Sequence, residues 1–175
     1  MGRQKLLLPI DGVPLLARVV GACVAWPTVV VVSDPDVGAA LAGTLARIIF
    51  NDDPDRGMNR SLALADAAVP RDQAIAVILG DLPDCDANAI SGVIAAYDGS
   101  VDVVVPEAGG RLGHPVVMSP AARALIGRLG DGDGLRTIRD DPALKRLIVA
   151  GIDPGAFTDI DTPADYEARL RRARP

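Results

Sequence analysis

Cysteine, histidine, excess positive charge and long apolar runs are all scarce in this chain, and each shortage removes a class of protein. Cys23 and Cys85 are its only cysteines. Two thiols without metal-site spacing fit a reducing compartment better than a disulfide framework. His114 is the single histidine, and one imidazole does not make a metal site. Acidic residues outnumber basic ones, 23 to 18, for a formal charge of −5, and the pI is near 4.8. That balance argues against a nucleic-acid surface, which carries a basic stripe. A polyanionic substrate would need local basic side chains and a metal. No apolar run approaches the ~20 residues that span a bilayer. The stretch Met1-Gly2-Arg3-Gln4-Lys5 has no apolar signal-peptide region, and position six is leucine, which does not support myristoylation. The expectation is a soluble cytoplasmic protein with neither nucleic acid nor membrane among its partners. Repeats, linkers and low-complexity tracts are missing as well, so the 175 residues, 49% of them hydrophobic, read as one domain.

What the chain does have is order. Residues 28–32, 47–50, 74–79, 101–105, 115–118 and 146–150 are rich in Val and Ile and predict strands. Residues 14–25, 59–68, 86–97, 120–129 and 163–172 predict helices between them. Asp86 and Gly99 suit the two ends of one helix, and Pro14, Pro120 and Pro163 suit first turns. Strand–helix alternation implies an α/β domain with a mostly parallel sheet covered on both faces. Gly109-Gly110 and Gly113 allow a hairpin-like excursion between residues 101–105 and 115–118. The 74–79 strand runs into Gly80-Asp81-Leu82-Pro83, and Phe157-Thr158 runs into Asp159-Ile160-Asp161-Thr162-Pro163, where proline ends any ladder. Open parallel sheets bind ligands at the carboxyl ends of their strands. Two acidic strand ends therefore suggest a divalent cation with a phosphate substrate, because Mg²⁺ prefers one or two carboxylates plus phosphate oxygens.

Five segments occur in one order: Met1 to Pro9, Gly57-Met58-Asn59-Arg60-Ser61-Leu62, Gly80-Asp81-Leu82-Pro83, Gly113-His114-Pro115-Val116 and Asp159 to Asp165. This order resembles the MobA-like NTP transferases across essentially the whole chain, and within them the molybdenum cofactor cytidylyltransferase branch. The resemblance implies a Rossmann-like, three-layer nucleotidyltransferase fold of the nucleotide-diphospho-sugar transferase type. It implies transfer of a nucleotidyl group from an NTP, with CTP the expected donor, to a phosphorylated acceptor such as molybdopterin, releasing pyrophosphate. Mg²⁺ is the implied cofactor. Arg3 and Lys5 would hold the triphosphate, one as a bidentate fork and the other as a mobile point charge. Asp81 would bind the metal, and Asp159 or Asp161 would complete its carboxylate set; alternation places both on one face and leaves the choice open. Asn51, Gly57, Ser61 and Gly80 would contact the nucleotide, and His114 the acceptor.

Plainer readings stand beside these. Asp81 could cap a helix, Ser61 could start one, and His114 could be a structural imidazole. Asp52-Asp53-Pro54-Asp55 reads as a solvated turn, Asp165 as a first-turn acid, and Arg169, Arg171, Arg172 and Arg174 as a solvated helix end. Gly130 to Arg136 is similar to another family element with its spacing displaced, so Arg136 receives no catalytic role. Cys85 reads as an unreactive thiol. The family pattern places a strand and a glycine-rich phosphate loop before the residues matching Met1-Gly2-Arg3. The expectation is that codons upstream of Met1 encode them; the alternative is that neighbouring segments close the gap and phosphate binding is impaired. Two other functions follow from particular features: a silent nucleotide-binding module or molybdoenzyme maturation partner from the absent loop, and a glycosyltransferase from Asp159-Ile160-Asp161.

Overall fold

The computed structural model describes residues 4–130 and 132–172. A turn of 3-10 helix, Lys5–Leu7, leads into a short hairpin of β1 (Pro9–Ile10) and β2 (Val13–Pro14). Asp11 and Gly12 form its turn at φ 51° and 82°, the left-handed pair that matches strand twist. Pro14 still pairs with Pro9, so helix α1 (Leu15–Ala22) begins one residue later than expected. It buries Leu15, Leu16, Val19 and Val20 on one stripe. Then follow β3 (Val29–Val32), α2 (Pro35–Ala39), β4 (Arg47–Phe50), α3 (Gly57–Ala67), β5 (Ile75–Val77), α4 (Ala87–Ala95), β6 (Val103–Ala108), β7 (Arg111–Leu112), β8 (Val116–Met118), α5 (Pro120–Arg123), α6 (Leu135–Arg139), β9 (Arg146–Val149) and α7 (Pro163–Arg172).

Each of the six expected strands is present. β3 and β4 pair in parallel. A five-stranded sheet runs β5-β8-β6, with β7 and β9 also on β6. Both β5 and β6 are antiparallel to β8, and β9 is parallel to β6, so β5, β6 and β9 point one way. β8 is reversed because β6 and β7 turn back through Gly109-Gly110, the anticipated excursion. Among the described residues, β3 and β5 each have a single strand neighbour.

Side-chain alternation separates the layers. Val103 and Val105 face Leu62 of α3, Ala122 of α5 and Ile138 of α6. Val104 and Val117 face Val93 of α4 on the opposite side. No helix among the described residues is long and apolar enough to cross a membrane.

Several elements differ from the sequence reading. The expected helix 120–129 splits into α5 and a 3-10 turn at Ile126–Arg128, with low-propensity Gly127 inside the second piece. α2 carried a readable signal, since Asp34 accepts from Asp36 N at 2.8 Å and Pro35 opens the helix. α6 is five residues long, too short for periodicity to reveal.

One buried charge, Arg123, drew no reading from the sequence. Its side chain is 1% exposed and pairs with buried Asp66. Nε donates to Asp66 Oδ1 at 2.8 Å, and the remaining N–H groups donate to the carbonyls of Asp66, Val69, Pro70 and Gln73. One guanidinium thereby satisfies the carbonyls at the end of α3 and along the loop into β5. Arg169 departs from the solvated-end reading. It is largely buried against Asp84 at 2.8 Å and Asp11 at 3.4 Å, whereas Arg171 only pairs with exposed Glu167 at 3.6 Å. Arg174 lies outside the described residues.

Candidate active site

β5 leads through Ile78, Leu79 and Gly80 to Asp81. A Cβ on Gly80 would stand 2.8 Å from Leu16 Cδ1, so glycine lets α1 press against the strand end. The Asp81 carbonyl accepts Ile160 N at 3.2 Å, joining the mid-chain acid to the late one. Ile160 is buried with Ile10, Leu15 and Val19, which turns its neighbour Asp161 outward. Thr162 and Asp165 then cap α7 reciprocally: Asp165 Oδ2 accepts Thr162 N at 2.7 Å, and Thr162 Oγ1 accepts Asp165 N at 3.2 Å. This is a capping box with aspartate in the acid position, and it confirms Asp165 as a first-turn residue.

Lys5 completes the arrangement. Leu6, next to it, packs into two apolar clusters and holds the backbone close. The Lys5 ammonium donates to Asp81 Oδ2 at 2.8 Å and to Asp161 Oδ1 at 2.7 Å. Burial acts to lower the Lys5 pKa, but Asp161 and Asp81 outweigh it and hold the group above its ordinary value. Asp81 Oδ1 is buried with no hydrogen-bond partner among the described residues. The opposing acidic tips thus converge on one cation, through Asp161. Asp159 is exposed and is not part of this pair. Arg3 lies outside the described residues.

The nucleotide-side candidates form a second group. Asn51 is buried at the end of β4. Its Nδ2 donates to Ser61 Oγ at 3.1 Å and its Oδ1 accepts Asp53 N at 3.0 Å, so both polar atoms brace the start of α3. Gly57 opens α3 at φ 72°, a conformation that favours glycine. An open cleft of about 310 Å³ is lined there by Asp55, Arg56, Gly57 and Gly132. Asn59, which the sequence reading did not single out as a contact, donates to the carbonyls of Gly130 and Asp133 at 2.9 and 3.2 Å. It fastens the 130–134 loop to α3. Asp52, Asp53 and Asp55 are exposed, as a solvated turn requires.

His114 reaches the carboxyl end of β5, with Nδ1 3.0 Å from the Val77 carbonyl. A carbonyl only accepts, so Nδ1 carries the proton and Nε2 is left as an acceptor. Burial pushes the imidazole pKa down, favouring the neutral form. Beneath this loop, a Cβ on Gly113 would lie 2.4 Å from Phe157 Cδ1, and Phe157 is itself buried. Gly113→Ala is therefore expected to cost about 1–3 kcal/mol, the scale of overpacking, read as a lower urea midpoint. It should also shift the His114 imidazole resonances as the Val77 contact loosens. Cys85, buried in the same region, has its thiol pushed up to about 12 by burial, which keeps it protonated and unreactive.

Residues 1–147 match the MobA-like NTP transferase domain. The chain belongs to that family. This MobA-like chain is 31% identical over 180 residues to a phosphoenolpyruvate guanylyltransferase of Thermomonospora curvata, covering 96% of the chain and 72% of the relative. It superposes on a nucleotidyl transferase from Methanothermobacter thermautotroptrophicus with TM-score 0.80 and 25% identity, covering 96% and 86% of the two chains. It also superposes on Rv0371C of Mycobacterium tuberculosis H37Rv, solved in complex with manganese, with TM-score 0.75 and 25% identity, covering 95% and 91%. The MobA-like assignment makes the chain a nucleotidyltransferase and accounts for the three-layer α/β architecture.

Proposed function

We propose that the chain catalyses metal-dependent transfer of a nucleotidyl group from an NTP to a phosphorylated small-molecule acceptor, with GTP as donor and phosphoenolpyruvate as acceptor. The convergence of Asp81 and Asp161 on one ammonium, at 2.8 and 2.7 Å, is the observation that carries the reaction class. The guanylyltransferase relative, similar over 96% of the chain, supports that donor and acceptor over CTP and molybdopterin.

The residues fit a hard divalent cation. Asp81 Oδ1 is a buried carboxylate oxygen lacking a partner among the described residues, and the second acid is already within reach of a shared positive charge. Among the described residues no cluster of three or more His, Cys, Asp or Glu could hold a metal, which suits an ion whose shell is completed by phosphate oxygens. Asp81 and Asp161 would hold Mg²⁺, and a relative solved with manganese supports a divalent ion. When bound, it supplies charge neutralisation at the phosphates.

An acceptor phosphate oxygen bonds to the α-phosphorus while the bond to the β-phosphate oxygen breaks and pyrophosphate leaves. That oxygen is already anionic, so no general base is needed; placement and charge compensation suffice. Lys5, with Arg3, would meet the triphosphate. Asn51, Ser61, Gly57 and Gly80 would shape the nucleotide side by holding the α3 entrance and the Asp81 turn. His114, fixed through Nδ1 to the Val77 carbonyl, would hold the acceptor loop in place. Residues 1–175 act in this reading as one domain.

A second reading, CTP with molybdopterin, is favoured by Gly113-His114-Pro115. The decisive experiment incubates the chain with each of GTP, CTP, ATP and UTP against phosphoenolpyruvate and molybdopterin, with Mg²⁺ or Mn²⁺. Pyrophosphate release and product mass are followed together. A guanylylated phosphoenolpyruvate is the expected product. A cytidylylated pterin would transfer the assignment to the second reading. Nucleotide binding without turnover would mark a silent module or a molybdoenzyme partner.

A further inference from the structure

We propose that the Lys5 ammonium is a resident stand-in for the divalent cation, so that metal entry and delivery of Lys5 to the nucleotide phosphates form a single exchange. The inference rests on the nucleotidyl-transfer reading above. Three observations carry it. The ammonium binds one oxygen from each acid, 2.8 Å from Asp81 and 2.7 Å from Asp161, across separations of 76 and 156 residues. The second Asp81 oxygen is buried and has no hydrogen-bond partner among the described residues, so Lys5 compensates the carboxylate pair only partly. The Lys5 side chain is 30% exposed, and its flexible four-carbon stem lets the charge move while the backbone stays put.

Charge counting gives the exchange its direction. Two carboxylates and one ammonium sum to −1. Replacing the ammonium by a divalent ion brings the pair to zero and frees one positive charge beside the site. Without nucleotide that charge has no new partner, and an ammonium and a metal ion cannot share the same two oxygens. With an NTP present, the freed ammonium meets a polyanion. Metal and nucleotide should therefore bind with positive coupling, each raising the affinity for the other by the same factor. Lys5 is then more than a triphosphate contact: it is the residue through which nucleotide occupancy is communicated to the metal site.

The test measures Mn²⁺ binding by electron paramagnetic resonance, with and without a non-hydrolysable GTP analogue. The wild-type chain is expected to bind Mn²⁺ weakly alone and roughly tenfold more tightly with the analogue, within the usual span of coupling factors. Lys5→Met should bind Mn²⁺ alone roughly tenfold more tightly than wild type and lose most of that coupling. Lys5→Arg keeps the charge and should stay weak. Arg18→Met makes the same change in net charge at a side chain that contacts Asp11 and Pro83 instead; its Mn²⁺ affinity should not move. Should Lys5→Met fail to fold, Lys5→Gln takes its place in the comparison. Unchanged or weaker Mn²⁺ binding in the Lys5 variant overturns the exchange, as does full retention of nucleotide coupling. Because turnover is assayed separately on wild type, an active enzyme with no exchange and an exchange in a protein without transfer activity give different results.

Discussion

Asp81→Asn is expected to remove metal-dependent pyrophosphate release, by roughly 100-fold or more, while the chain remains folded. The magnitude is that of deleting one preorganised group that stabilises charge in a transition state. Asparagine keeps the volume of aspartate, and the Asp81 main-chain bond to Ile160 N does not involve the altered group. What disappears is the negative charge on Oδ1, partnerless among the described residues, and on the Oδ2 that meets Lys5. An amide nitrogen at either position would point a donor at the proposed cation position. Coupled pyrophosphate detection over a range of Mg²⁺ and Mn²⁺ concentrations gives the turnover, and far-ultraviolet circular dichroism checks the fold. A variant with wild-type turnover would remove Asp81 from the site.

The second large effect is on stability. Arg123→Met should lower the unfolding free energy by about 3–5 kcal/mol, as breaking one side of a buried ion pair typically does. Asp66 is 6% exposed in its side chain and would keep only Arg71, which is itself mostly exposed. The carbonyls of Val69 and Gln73 would lose the Arg123 donor at the same time, and those of Asp66 and Pro70 would fall back on the N–H groups of Val69 and Gln73. A domain's whole net stability is about 5–15 kcal/mol, so a measurable fraction of this variant should be unfolded without denaturant. Urea titration provides the number. Pairing the change with Asp66→Asn should recover part of the loss, because the uncompensated charge is then gone. A midpoint unchanged in Arg123→Met would mean that the buried pair contributes nothing to folding.

These two residues mark how far the sequence could be read. Asp81 was legible because an apolar strand delivers it to the sheet's edge, and strand positions follow from Val and Ile content that burial demands. The preference for Asp161 over Asp159 was not legible. Alternation puts both on one face, and what brings Asp161 to Lys5 is a main-chain bond from Ile160 to Asp81 and the cap on α7. Arg169 was read, by its charge, as part of a solvated helix end, and Arg123 drew no reading at all. Only the carbonyls of a distant loop, and Asp84 with Asp11, give them reasons to be inside. Asn51 and Ser61 were both expected on the nucleotide side, but the hydrogen bond between them depends on side-chain geometry that spacing does not encode. The base and acceptor were beyond the motifs altogether, since fold and phosphate chemistry are shared among many substrates.

β3 and β5 each run beside one strand among the described residues. Both are apolar: four consecutive valines make up β3, and Ile75-Ala76-Val77 make up β5, with Ala76 exposed. Amides along an open apolar margin recruit extended segments from other molecules. Strand addition at either edge is therefore the expected route of any self-association at high concentration, and light scattering should then change little with added salt.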